Sequence, residues 1–324
     1  MARTTLPGSM LPDRTLLVAP APTGPIAPSG KPRPELRDEL RRIPSWRNAW
    51  SVVLLYAGTV AIIWAAVWLN DPITWLFAFL AMGPVIARFN ILAHEAAHRL
   101  LFSNRRANDF VGRWFIGYLV MNPIDLYRRG HMAHHREEFG PNEPDIPLYR
   151  GYPISRDSLR RKLTRDALGI TGWKLTNGLL RGVRSPNASI RGQARSIVVV
   201  QLALLGVSFA VGHPWLWLFL WQLPMLTVWR VMNRLRSIAE HGGMHASNDK
   251  RETTHSVKQS RLARMTIVPY NTGWHLAHHV DSGISFRKLP QLHDELIRSG
   301  YIQPGLEYPS YFALWRKLAS GGTA

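Results

Sequence analysis

The feature that most restricts this chain is a run of twenty residues, Trp50 to Leu69, without one charged side chain. At about 1.5 Å per residue a helix of that length covers about 30 Å, the thickness of a bilayer's hydrocarbon layer. Asn70-Asp71-Pro72 then reads as a tight turn, and a second apolar run extends from Ile73 to Ile86. Its helical pattern continues past Arg88 and Ile91 to His98. Ile197 to Val211 is a third run, Gly212-His213-Pro214 turns the chain, and Trp215 to Trp229 is a fourth, with Pro224 as a kink. Phe110 to Met121 is too short to span and is interrupted by Arg113, which suits an interfacial or re-entrant segment. The expected fold is an all-α membrane protein with four transmembrane helices in two hairpins and a cytoplasmic histidine-rich helical cap.

Charge orients those hairpins. The chain of 324 residues carries a formal net charge of +19, yet the turns at 70–72 and 212–214 hold no Lys or Arg. The basic residues gather in the N-terminal arm, the 99–195 connection and the C-terminal third. The positive-inside rule puts both termini and that connection in the cytoplasm. Much of the charge then faces anionic headgroups, and nucleic acid is not an expected partner. Arg far outnumbers Lys, which points to a GC-rich bacterial genome and so to an inner membrane. Residues 1–45, rich in Pro, Gly, Ser and Thr, read as a disordered tail without the pattern of a signal peptide. Residues 46–297 form the expected membrane domain, and 298–324 a C-terminal tail.

No cysteine is present, so disulfides, thiolate zinc sites and Cys-ligated iron–sulfur clusters are excluded. Any metal must be held by His, Asp, Glu or Asn. Most of the thirteen histidines cluster. His94 and His98, in His94-Glu95-Ala96-Ala97-His98, are one helical turn apart. His131, His134 and His135 share a helix face, as do His275, His278 and His279. If the second helix continues, His94 stands about 12 Å beyond Ile86, at the membrane surface. Eight imidazoles exceed the three or four ligands of one zinc ion, and two iron ions would use them. His241, about 18 Å beyond Trp229 on a continuing fourth helix, is a ninth candidate. It is preferred to His245, which comes after Gly242-Gly243, and to His255. His213 and His293 read as structural.

HEAAH, HMAHH and HLAHH, in that order between two hydrophobic hairpins, resemble the three histidine boxes of the membrane fatty acid desaturase superfamily. The resemblance runs from about Trp50 to residue 297. It implies a non-haem di-iron oxygenase, with Fe2+/Fe3+ ions, that uses O2 and two electrons to oxidise an unactivated C–H bond. Loss of a second hydrogen gives a double bond, and transfer of hydroxyl gives an alcohol. By position the implied iron ligands are His94, His98, His131, His134, His135, His275, His278 and His279, with His241 as the family's extra histidine. Relatives carry an Asn one turn before that histidine, where this chain has Ser237. Asn271, one turn before His275, is a candidate to orient a ligand ring. So are Glu95, Glu240, Asp145 and Asp281. Asn142-Glu143-Pro144-Asp145 resembles the acidic stretch that often comes after the second box.

The boxes are shared by acyl desaturases and by lipid or carotenoid hydroxylases and ketolases. The text Val268-Pro269-Tyr270-Asn271-Thr272-Gly273-Trp274 before the third box is closer to acyl-chain desaturases. The substrate is then a lipid or acyl chain in an apolar channel, for which Trp64, Trp68, Trp75, Trp215, Trp217, Trp221 and Trp229 are lining candidates; each also suits a lipid-facing belt or the bundle core. Electrons are expected from a separate protein such as an acidic ferredoxin, drawn to the basic cytoplasmic face. HEAAH alone also fits H-E-x-x-H, the pattern of a membrane-embedded zinc hydrolase with Glu95 as general base. That alternative leaves the two H-x-x-H-H clusters without a role.

Overall fold

The computed structural model describes residues 10–141 and 143–321; Asn142 and the two chain ends lie outside the described residues. Apart from two strands of two residues and one isolated bridge, the named elements are helices. Among the described residues three helical stretches are long and apolar enough to cross a membrane: Pro34–Leu69, whose unbroken helix is Ser45–Leu69, then Pro72–Ala97 and Ala188–Ala210. The chain divides into two compact units, one of residues 43–129 and 162–233, the other of the remaining segments.

The first unit contains the long helices. Asp71 caps Pro72–Ala97, accepting from the backbone N–H of Ile73 and Thr74, and Pro72 at the first position has no amide to leave unpaired. Asn70 takes the left-handed conformation that closes Ser45–Leu69. Asn187 caps Ala188–Ala210 in the same manner as Asp71. Tyr56, Phe89 and Trp221 meet edge to face, with ring centroids 5.5 and 5.6 Å apart. Trp64, Trp68, Phe77, Val207 and Phe209 stay exposed on the helices, as side chains facing lipid would.

The fourth apolar run is not one long helix. Leu218–Gln222 forms a π turn, Leu223–Leu226 a short α turn, and Thr227 breaks away before Val228–His241 begins. Pro224 explains this, because it cannot donate to the turn before it. The segment before residue 122 is broken as well, with helix at Arg105–Val111, a π turn at Gly112–Gly117 and a 3-10 turn at Tyr118–Val120. Its end leaves carbonyls without helical partners, which is costly away from water. Side chains supply them. Gln201 Nε2 donates to the carbonyls of Tyr118 and Leu119, at 2.9 and 3.0 Å. Trp221 Nε1 donates to Leu119 at 2.8 Å. Gln222 and Trp217 in turn donate to Gln201 Oε1.

The second unit holds both arms of the chain. From Met10 onward the N-terminal arm differs from the expected tail. Arg14–Leu16 and Pro34–Leu40 are helical, and Met10, Ile26 and Leu40 are buried. Arg41 pairs with Asp281 at 2.7 Å. Residues 298–321 differ from a tail in the same way. Glu307–Tyr308 pairs in parallel with Ser256–Val257, Leu314 and Leu318 are fully buried, and Trp315 donates to the Leu235 carbonyl. Composition averages over Pro and Gly. It misses a few well-spaced apolar anchors whose burial, at about 1.5–3 kcal/mol each, offsets the ordering of the chain between them.

Two measurements check these packing arguments. Gln201→Leu removes a donor from each of two carbonyls and the shared acceptor of Gln222 and Trp217, and is expected to lower stability in detergent by about 1–3 kcal/mol, more than Trp217→Phe. His255 is buried with Nε2 donating to the Gly242 carbonyl, and burial pushes its pKa down to about 4. Between pH 6.5 and 4 the unfolded chain therefore binds the extra proton, so stability falls on acidification, by about 3 kcal/mol in all. His255→Asn should flatten the melting temperature over that window.

Candidate metal centre

His94 and His98 sit where the Pro72–Ala97 helix ends. His94 is buried, His98 is the C-terminal cap, and their ring centroids are 4.6 Å apart. The last turn is tied down by groups the sequence did not single out. Arg128 donates to the carbonyls of Ala96 and Ala97, Asn108 donates to Ala96, and Asp109 pairs with Arg128 at 2.5 Å. Arg99 then turns left-handed, with φ of 60°, and ends the helix. Glu95 is fully buried, its Oε1 3.8 Å from His94 Nδ1.

The second unit gathers the other seven histidines into two groups. His131 and His135 come from the helix Ile124–Arg136, and His278 from His275–Val280. His135 Nε2 lies 3.1 Å from Nε2 of both His131 and His278. The other group is built around His134, His241 and His279, whose ligand atoms lie within 4.8 Å of one another. His275 joins it, with Nε2 3.1 Å from that of His241 and 3.0 Å from that of His279. The helix Val228–His241 does reach His241, and Gly242-Gly243 then breaks it, Gly243 at φ of 76°. His245 is exposed instead, and His293 pairs with Glu307 at 3.1 Å.

Three rings of this second group have acceptors on their outward Nδ1 atoms. His241 Nδ1 donates to the Thr253 carbonyl at 2.9 Å, and His279 Nδ1 to Glu138 Oε1 at 2.7 Å. His134 Nδ1 faces Glu143, which also accepts from the Phe139 amide. His275 Nδ1 is 3.4 Å from Glu240 Oε1, which takes a hydrogen bond from Arg236 at 2.6 Å. A neutral imidazole with its proton on Nδ1 has a lone pair on Nε2. The inward Nε2 atoms of His241 and His279 therefore both present lone pairs to His275 Nε2 at about 3 Å, and since that one nitrogen can donate to only one of them, a cation among the three would satisfy the rest. Such a donor set, all nitrogen and no thiolate, suits iron, zinc or copper. The residues fit a metal ion.

Electrostatics agree with that proton assignment at His241 and His279. Burial holds His241 and His279 well below the ordinary value, so both stay neutral. At His134 burial also pushes downward, but the Glu143 carboxylate outweighs it and holds the pKa above the usual range. Burial raises the carboxyls of Glu240 and Asp145.

Of the carboxylates expected to orient ligands, Glu240 reaches a ring directly. Asp145 lies in the field of His134. Asp281 serves Arg41. Asn271 accepts from Arg264 at 3.4 Å and takes a left-handed φ of 62°, in a turn before the third box. The sequence did not single out Glu138, Glu143 or the Thr253 carbonyl as acceptors. Glu138 and Glu143 lie within nine residues of the second box, and that proximity was the available signal. A carbonyl leaves no signal in the sequence. Glu143→Ala is expected to weaken metal binding about 10- to 100-fold, while His245→Ala leaves it unchanged, as read by titration of the stripped protein with Co2+ or by metal analysis.

Known proteins resemble this chain in sequence. A dihydrorhizobitoxine desaturase from Bradyrhizobium elkanii is 26% identical over 233 residues, 65% of each chain. An sn-1 oleoyl-lipid 12-desaturase from Anabaena variabilis is 30% identical over 218 residues, 60% of each chain. A chloroplastic omega-6 fatty acid desaturase from Glycine max is 25% identical over 211 residues, 60% of this chain and 47% of that one. The chain thus spans about half to two thirds of the length of these relatives. The family model for fatty acid desaturases matches residues 73–312, which include all three boxes and His241. With that match over most of its length, this chain belongs to the fatty acid desaturase family.

Proposed function

We propose that this chain is a membrane-bound, non-haem di-iron oxygenase that desaturates an acyl chain. The observation that carries the reading is the convergence of inward Nε2 atoms on rings whose Nδ1 atoms are held by Thr253, Glu138 and Glu143. The proposed ligands are His94, His98, His131, His134, His135, His241, His275, His278 and His279. Iron bound there would supply the oxidation of an unactivated C–H bond by O2. The balance is a –CH2–CH2– unit, O2, two electrons and two protons giving –CH=CH– and two waters.

The chain's own groups have three tasks. The Nδ1 acceptors hold each imidazole in one tautomer and one orientation, so that no ring must turn when the metal changes charge. Burial of the second group excludes water from the oxidised site. The apolar helices offer a hydrocarbon-like environment to an acyl chain. Names of the relatives support desaturation over hydroxylation, and two of the three name acyl substrates. The broken run Trp215–Trp229 completes a second hairpin in this reading. Both termini and the histidine clusters face the cytoplasm of a bacterial inner membrane, and electrons come from a separate acidic donor such as a ferredoxin.

The test is a lipid profile of cells producing the wild type and His278→Ala, with iron and zinc measured on the purified proteins. The expected product is lighter by two hydrogens, absent in the variant, with iron in the wild type alone. One zinc per chain and an unchanged profile would sink the reading, and a gain of one oxygen would move it to hydroxylation. Glu95→Gln separates it from the zinc-hydrolase alternative, because a residue that only supports a ligand costs at most about 10- to 100-fold, whereas loss of a general base abolishes turnover with metal retained.

A further inference from the structure

Glu138 occupies an unusual place between the two histidine groups of the second unit. Its side chain is buried, and it lies within 4.8 Å of ligand atoms of both His135 and His279. His135 belongs to the group with His131 and His278, and His279 to the group with His134 and His241. One oxygen, Oε1, accepts both His279 Nδ1 at 2.7 Å and Lys250 Nζ at 2.6 Å. Lys250 reaches outward, partly exposed, to a solvent-open pocket of about 560 Å³ that Lys31 and Arg136 also line.

Lys250 opens a helix of only four residues, Lys250–Thr253, outside all three boxes. The last residue of that helix supplies the carbonyl that receives His241 Nδ1. The helix is fastened firmly. Asp249 caps it at the Arg251 amide and is gripped by the Arg251 guanidinium at 3.0 and 2.7 Å and by the Tyr301 hydroxyl at 3.1 Å. Arg251 also donates to the Val18 and Tyr301 carbonyls and lies 4.2 Å over the Tyr301 ring. A short helix with little else to do is thus bolted to both arms of the chain, and from it two outward protons of one histidine group are received, one directly and one through Glu138.

We infer that the Lys250–Thr253 helix is the mount of the second histidine group, and that Lys250 and Glu138 are positioning residues which tune the charge felt by the metal there. This rests on the di-iron reading above. Glu138 places a negative charge behind the His279 ring, making it a stronger donor to the metal. Lys250 shares the same oxygen and withdraws part of that charge. Glu138 is buried, so its charge is poorly screened, and Lys250 acts on it through a direct 2.6 Å contact. The two residues therefore push the metal's reduction potential in opposite directions. A purely structural pair would instead harm metal retention alike when either member is changed.

The experiment is an anaerobic redox titration of the full-length, iron-loaded protein in detergent, read by Mössbauer spectroscopy, on the wild type, Lys250→Gln, Lys250→Arg and Glu138→Gln. Both Gln variants keep a hydrogen-bonding side chain. Lys250→Gln removes a positive charge and should lower the midpoint potential, Glu138→Gln removes a negative one and should raise it, and Lys250→Arg should restore the wild-type value. Shifts of the same sign, no shift, or equal loss of iron from both Gln variants would overturn the inference while the di-iron reading stands. A wild type that binds no iron removes both.

Discussion

What the site depends on is the destination of the imidazole protons. A histidine carries one proton when neutral, and the nitrogen that keeps it cannot bind a metal. Here fixed acceptors claim the Nδ1 protons: a backbone carbonyl at His241 and carboxylates at His279 and His134. The inward nitrogens of His241 and His279 are left as lone pairs by that choice, because burial keeps both rings uncharged. Without the outer acceptors the same rings could flip, trade tautomers or pair with one another. The arrangement is one of enforced electrostatic frustration that a cation relieves, and the polypeptide around it exists to hold the frustration in place.

The long helices answer a different constraint. Backbone polar groups in lipid must be satisfied by protein, and two segments of this chain break their helices where apolar sequence continues. At the end of the 118–120 turn side chains close the gap: Gln201 and Trp221 donate to its carbonyls, and Gln222 and Trp217 hold Gln201. The helix carrying His94 and His98 ends the same way, with Arg128 and Asn108 donating to its final carbonyls. At both of these ends the backbone carbonyls are met by polar side chains that arrive from elsewhere in the chain.

Much of this was legible beforehand, and for a reason. Three long apolar helices and the histidine faces come from periodicity, since residues three and four apart must share a helix face. His241 was legible because helix continuity carries position along a chain, and Gly242-Gly243 marks where it stops. The acceptors behind the rings were not legible. Glu138 looks like an ordinary acidic residue in a charged stretch, Glu143 stood in the acidic stretch after the second box without a role of its own, and the Thr253 carbonyl has no side-chain identity at all. Asn271 was a reasonable candidate by spacing, but its turn delivers it to Arg264. The arms from Met10 and beyond residue 298 read as tails because their anchors are sparse.

Taken alone, the sequence determined the chemistry available: nitrogen ligands without thiolates, helices of membrane length, and histidines in pairs and triplets on helix faces. Covalent order and helical period suffice for that. Only the tertiary structure decided which nitrogen of each ring faces inward, how seven of the imidazoles divide into two groups, and that a four-residue helix outside the boxes supports one of them. Those outcomes depend on contacts between residues more than a hundred positions apart, such as Glu138 with Lys250 and His279. No local pattern encodes a contact of that kind, because it is chosen by the packing of the whole chain.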